Sequence, residues 1–108
     1  MLKKGTAVLP EDKDLLRYLG TNYYNKGLSD RDAENVEAAS AAFHGAIDSM
    51  SKLLELEPKS IEAHDVLGDA YAGLASIETD EDRKMELFTK GEEHQKTKME
   101  LITSGEGM

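Results

Sequence analysis

Apolar residues recur along most of this chain at steps of three and four, with polar residues between them. That is the period of amphipathic helices, not strands. The first stripe is Leu16, Leu19, Gly20, Tyr23 and Gly27. It predicts a helix opening near Pro10, whose fixed φ suits a first turn. Glu11, Asp12 and Asp14 favour the positive end of its dipole, and Gly27 is a plausible terminator. The second stripe is Val36, Ala39, Phe43, Ala46, Met50 and Leu53, alternating steps of three and four as in helices packed lengthwise. Ser29 followed by Asp32 has the form of a capping box, so this helix starts either there or at Asp32 or slightly later, with residues 28–32 as loop. Unbroken to Glu57 it would span on the order of 40 Å, with Gly45 as a weak spot where it would bend. Pro58 ends it. Ser60 caps a third helix with the stripe Ile61, His64, Leu67, Gly68, Tyr71, Leu74 and Ala75. Thr79 and Asp80 compete as cap of a fourth, whose sparser line is Met85, Phe88, Gln95, Met99 and Ile102.

No segment alternates apolar and polar residues long enough to make a strand, so the expected fold class is all-α. Residues 1–9 have no period and read as a flexible N-terminal arm, and residues 104–108 as a flexible tail. Between them lies one domain, residues 10–103. Abundant Ala, two Pro and no Trp agree with helices packed side by side. The net charge of −9 is spread over both halves and repels phosphate backbones, so nucleic acid is an improbable partner. Basic or amphipathic proteins are the electrostatically natural ones. Without Cys there is no disulfide or thiol chemistry. No apolar run approaches the ~20 residues of a membrane span, so membrane insertion is not expected and a cytoplasmic location is the default.

The chain also repeats itself. Pro10, Leu19-Gly20 and Tyr23 are answered by Pro58, Leu67-Gly68 and Tyr71, the same frame 48 residues on. A glycine inside a helix costs about 1 kcal/mol relative to Ala. Two at matching places imply that each helix is approached too closely for a side chain. With Ala46-Ile47, Met50, Leu53-Leu54, Leu56 and Pro58 in a second-helix pattern, the chain resembles the tetratricopeptide repeat family. The resemblance implies two antiparallel helix hairpins, residues 10–57 and 58–103, stacked as a short right-handed superhelix. Departures are the Leu16 and His64 that replace the family's large aromatic, and the first unit's length. That unit exceeds the usual ~34 residues by about two heptads, room for one more on each antiparallel helix.

What the resemblance implies about function is a non-enzymatic adaptor or chaperone-like module. In the family the first helix of each unit lines a groove. The ligand-facing positions fall on Asp14, Arg17, Thr21, Tyr24 and Asn25 in unit one, and on Glu62, Asp65, Asp69, Ala72 and Gly73 in unit two. All lie off the apolar stripe. The Lys/Asn clamp of chaperone-binding members is absent, with Asp65 and Asp69 in its place. An acidic groove should prefer a basic or amphipathic peptide, and Ala72 with Gly73 should leave room for a bulky side chain. The alternative is a structural, oligomerising subunit. Two units make an incomplete solenoid, so Met85, Phe88, Met99 and Ile102 are expected to stay uncovered and to meet a second copy or another protein's helix.

Chemistry is harder to find. His44, His64 and His94 form no His-x3-His pair and no Glu-x-x-His exists, which removes di-iron and zinc-protease signatures. His64 lies on the core stripe and reads as a packed residue, while His94, after Glu92 and Glu93, reads as exposed. The acidic run Glu78–Asp82 lacks the glycine and spacing of a calcium loop and reads as a helix start. No catalytic residue, cofactor or metal is expected.

Overall fold

The computed structural model describes residues 11–104. These form four helices, α1 (Lys13–Asp32), α2 (Val36–Leu56), α3 (Ile61–Ile77) and α4 (Glu81–Ser104). The arm expected at 1–9, and residues 105–108 of the expected tail, lie outside the described residues. Ser104 itself closes α4.

Local chemistry sets each boundary. Asp12 caps α1, its carboxylate accepting the backbone N–H groups of Asp14 and Leu15 at 2.9 and 3.2 Å. Gly27 does not end the helix. α1 continues to Asp32, so the Ser29 and Asp32 pair lies in its last turns, not at the head of α2. The stop is a Schellman motif built without glycine. Glu34 N–H donates to the Arg31 carbonyl at 2.9 Å and Asn35 N–H to the Asp30 carbonyl at 2.8 Å. Glu34 takes the left-handed conformation the motif requires, φ 63°. Asn35 then caps α2 by accepting the Ala38 N–H at 3.3 Å. Residues 28–32 are therefore helix, and α2 is unbroken through Gly45. Ser60 caps α3 as expected, and of the two candidates for α4 it is Asp80 that accepts the N–H groups of Asp82 and Arg83.

α1 with α2, and α3 with α4, make two hairpins. The ion pair of Lys13 with Glu57 ties the start of α1 to the end of α2, and that of Asp65 with Lys98 ties the start of α3 to the end of α4. α3 lies against both α1 and α2, whereas α4 lies along α3 and reaches the edge of α2 only through side chains such as Arg83 and Leu87. The result is an open stack, not a closed bundle. Its extents are 41 × 39 × 22 Å, so it is two helices thick. The core sits where α1, α2 and α3 meet, with Leu16, Phe43, Met50, Leu53 and Leu67 essentially without solvent contact. α4 fully buries only Gly91.

The paired glycines do mark close approaches inside each hairpin. A Cβ on Gly20 would lie 2.8 Å from the end of the Met50 side chain, and one on Gly68 would strike the Gln95 amide. Met50 and Gln95 lie 45 residues apart, as do Phe43 and Phe88. The tyrosine beside Gly20 behaves differently from expectation. Tyr23 is 40% exposed, its ring lying over Gly45. It is Tyr24 that turns inward, its ring tilted against Phe43 at 5.9 Å between centroids.

Candidate functional site

Helices α1 and α3 run side by side, and several of the expected ligand-facing residues meet there. Arg17 accounts for three carboxylates. It pairs with Asp14 at 2.8 Å, with Glu57 at 2.7 Å and, across to α3, with Glu62 at 3.4 Å. At the far end Arg31 donates to Ser76 Oγ at 3.2 Å. Between these links Tyr24 is half-buried. Its hydroxyl pKa is pushed up by burial first and then by the negative charges of Asp69 and Asp65, with Arg31 opposing. Thr21 is half-buried and Asn25 exposed. The three carboxylates around Arg17 thus have cationic partners, but they share Arg17 and Lys13, and the cluster keeps a negative excess.

The acidic pair of α3 is also engaged. Asp65 accepts Lys98 Nζ at 2.9 Å, and Gln95 Nε2 donates to Asp69 Oδ1 at 3.1 Å and to the Asp65 carbonyl at 3.3 Å. Burial, then repulsion from Asp65, raises the Asp69 pKa above its ordinary value, and Lys98 partly offsets this. Asp65 and Asp69 therefore help hold α4 to α3, so reversing both charges would disturb the hairpin as well as any groove. Gly73 offers no space for a ligand. The ring of Phe43 already fills it, and a Cβ there would fall 2.5 Å from Phe43 Cζ. Ala72 is exposed as expected, but it faces α4 territory.

That territory holds a broad concave surface. A trough of about 600 Å³ runs between α3 and α4, floored by Gly68, Ala72 and Gly91 and walled by Phe88 and Met99. A second hollow of about 300 Å³, sharing Ala72 and Phe88, extends it towards Met85 and Ala75. The floor is low because the helices cross closely, a Cβ on Gly91 meeting the Gly68 carbonyl oxygen at 2.9 Å. Met85, Phe88, Met99 and Ile102 are 65%, 50%, 55% and 48% exposed, so the strip read from the sequence is open. Its exposed lining is mostly apolar, with Asp69, Glu92, Gln95 and Lys96 also bordering it.

On the other side of the α3–α4 hairpin the two histidines meet. His64 is buried as expected, but His94 is half-buried, not exposed, because it reaches His64. Their Nδ1 atoms are 3.0 Å apart, so one ring donates and the other accepts. His94 also stacks on Tyr71, 5.8 Å between centroids and 3° from parallel. Burial lowers both histidine pKa values, and the charge of His64 lowers that of His94 further. A spacing of 30 residues gives no local motif, which is why sequence reading missed the pair. Among the described residues no three metal-ligating side chains come together, and no helix is long and apolar enough to cross a membrane. No family profile, curated protein or solved structure matches the chain.

Proposed function

We propose that this chain is a non-enzymatic protein–protein interaction module that seats an amphipathic helix of its partner in the α3–α4 trough. One observation carries the reading: Phe88 stands in α4 where Phe43 stands in α2. Both lie 45 residues apart, as do the helix-crossing partners Met50 and Gln95. Phe43 is fully buried because α3 covers the α1–α2 face, whereas Phe88 is half exposed because nothing among the described residues covers the α3–α4 face. The chain thus carries its own template for what fits there, a helix laid across a hairpin. Helix-in-groove recognition of this kind uses apolar anchors on one face of the guest. The resemblance to tetratricopeptide repeats, in which successive hairpins stack into a superhelix, supports the same reading. The groove first expected on α1 and α3 contributes less, because Phe43 fills the space at Gly73 and α4 engages Asp65 and Asp69.

The test is site-specific photo-crosslinking. Benzoylphenylalanine at position 88 should give discrete adducts in native extract, and the same group at Tyr18, exposed on α1, should not. Equal or absent labelling at both positions would refute the reading.

A further inference from the structure

We infer that the helix filling the α3–α4 trough is α4 of a second copy, paired antiparallel to the first about a twofold axis. This rests on the reading of the trough as a helix acceptor. One seam along α4 runs Met85, Phe88, Glu92, Gln95, Met99 and Ile102; Gln95 turns onto α3, and the other five face outward. Its steps are three, four, three, four and three, the a/d spacing of a coiled coil. The seam is also symmetric about the point between Glu93 and His94. Antiparallel pairing centred there sets Met85 on Ile102 of the second copy and Phe88 on its Met99, with Glu92 nearest the axis. Every outward apolar residue of the seam then meets an apolar one. Parallel pairing would instead set Glu92 against Glu92 in the seam, which like charge opposes. Met99 suits a place beside Phe88, since its flexible thioether packs well against ring edges.

Two further observations favour a second copy. α4 is a 24-residue helix whose only fully buried residue is a glycine, yet it exposes four large apolar side chains. Helices of this length gain their stability from packing an apolar face, and a second α4 supplies one. The other route to self-association, α1 of one copy entering the trough of the next, does not fit. At the repeat spacing of 48, α1 carries Asn22, Asn25 and Lys26 where α3 buries Ala70, Gly73 and Leu74. That face of α1 is polar, as at the end of a capped stack. The association therefore closes at two instead of growing into a filament.

Analytical ultracentrifugation tests the stoichiometry and cysteine pairing tests the register, since the chain has no Cys of its own. Purified protein should sediment as a dimer. Phe88→Glu, at a half-exposed position outside the core, should keep its helical circular dichroism and weaken association by about tenfold or more. Met85→Cys and Ile102→Cys proteins should each stay uncrosslinked alone and form a disulfide when mixed under mild oxidation. Crosslinking of either variant by itself overturns the antiparallel register. A monomer at high concentration overturns the second copy. If position 88 still crosslinks to another protein in extract, the acceptor reading survives that result, and if it does not, both fall.

Discussion

Gly73→Ala probes how α3 is fitted onto the first hairpin. The new Cβ would lie 2.5, 2.6 and 2.9 Å from Phe43 Cζ, Cε1 and Cε2, so the ring would have to withdraw by about an ångström to reach ordinary contact. It has little freedom to do so. Phe43 has no solvent contact, and a Cβ on Gly27, from α1, would likewise fall 2.7 Å from its Cδ1 and Cε1. Two helices thus clamp one ring through two glycines. Overpacking a rigid site costs about 1–3 kcal/mol, and an overlap this large belongs at the upper end. Replacing glycine in a helix returns about 1 kcal/mol. A net loss of about 2 kcal/mol is expected, a sizeable part of the stability of a domain this small. Gly45→Ala is the control. Its Cβ would meet the Tyr23 ring at 2.9 Å, but Tyr23 is 40% exposed and can swing into solvent. That variant should be neutral or more stable by up to ~1 kcal/mol. Urea unfolding followed by far-UV circular dichroism measures both. Phe43→Leu should couple favourably with Gly73→Ala in a double-mutant cycle. A Gly73→Ala protein as stable as the parent would show that Phe43 is not clamped.

Other outcomes follow from single residues. Burial holds His64 and His94 below their ordinary pKa of 6.5, so the unfolded chain takes up protons that the fold resists. Stability should be complete above pH 6.5 and fall as pH drops through 6.5 towards the lowered values, a slope that His94→Gln should flatten in thermal melts across that range. The raised Asp69 pKa acts in the opposite sense, because its charged form opposes folding and that opposition is relieved only in acid. Glu34→Gly should raise stability by about 0.5–1 kcal/mol, since φ 63° suits glycine better than any side chain, and an unchanged urea midpoint would refute this. Ser49 is fully buried and its hydroxyl finds no hydrogen-bond partner, so Ser49→Ala should stabilise by about 1 kcal/mol in the same titration.

The helical period, the Pro58 break and the Ser60 cap were legible because each acts within one turn of chain, and the α4 cap was narrowed to Thr79 or Asp80. The exposed strip of α4 was legible too, because helical spacing alone sets Met85, Phe88, Met99 and Ile102 along one line. The end of α1 was not legible. Glycine is the usual sign of a Schellman stop, and here the sign stood at Gly27 while the stop stood at Glu34. Gly27 answers instead to Phe43, a residue of another helix. Tyr23 and Tyr24 exchanged roles for a similar reason, since adjacent positions on a helix differ by about 100° and only the neighbouring helix decides which is covered.

The candidate site divides along the same line. Sequence alone determined which residues α3 and α4 could present, because side-chain identity and helical spacing fix that before any folding. Only the tertiary structure decided that Asp65 and Asp69 are bound to Lys98 and Gln95, that Gly73 is filled, and that Phe88 repeats Phe43 without its cover. Those facts depend on distances between segments tens of residues apart, and such distances are set by packing, not by any local preference of the chain.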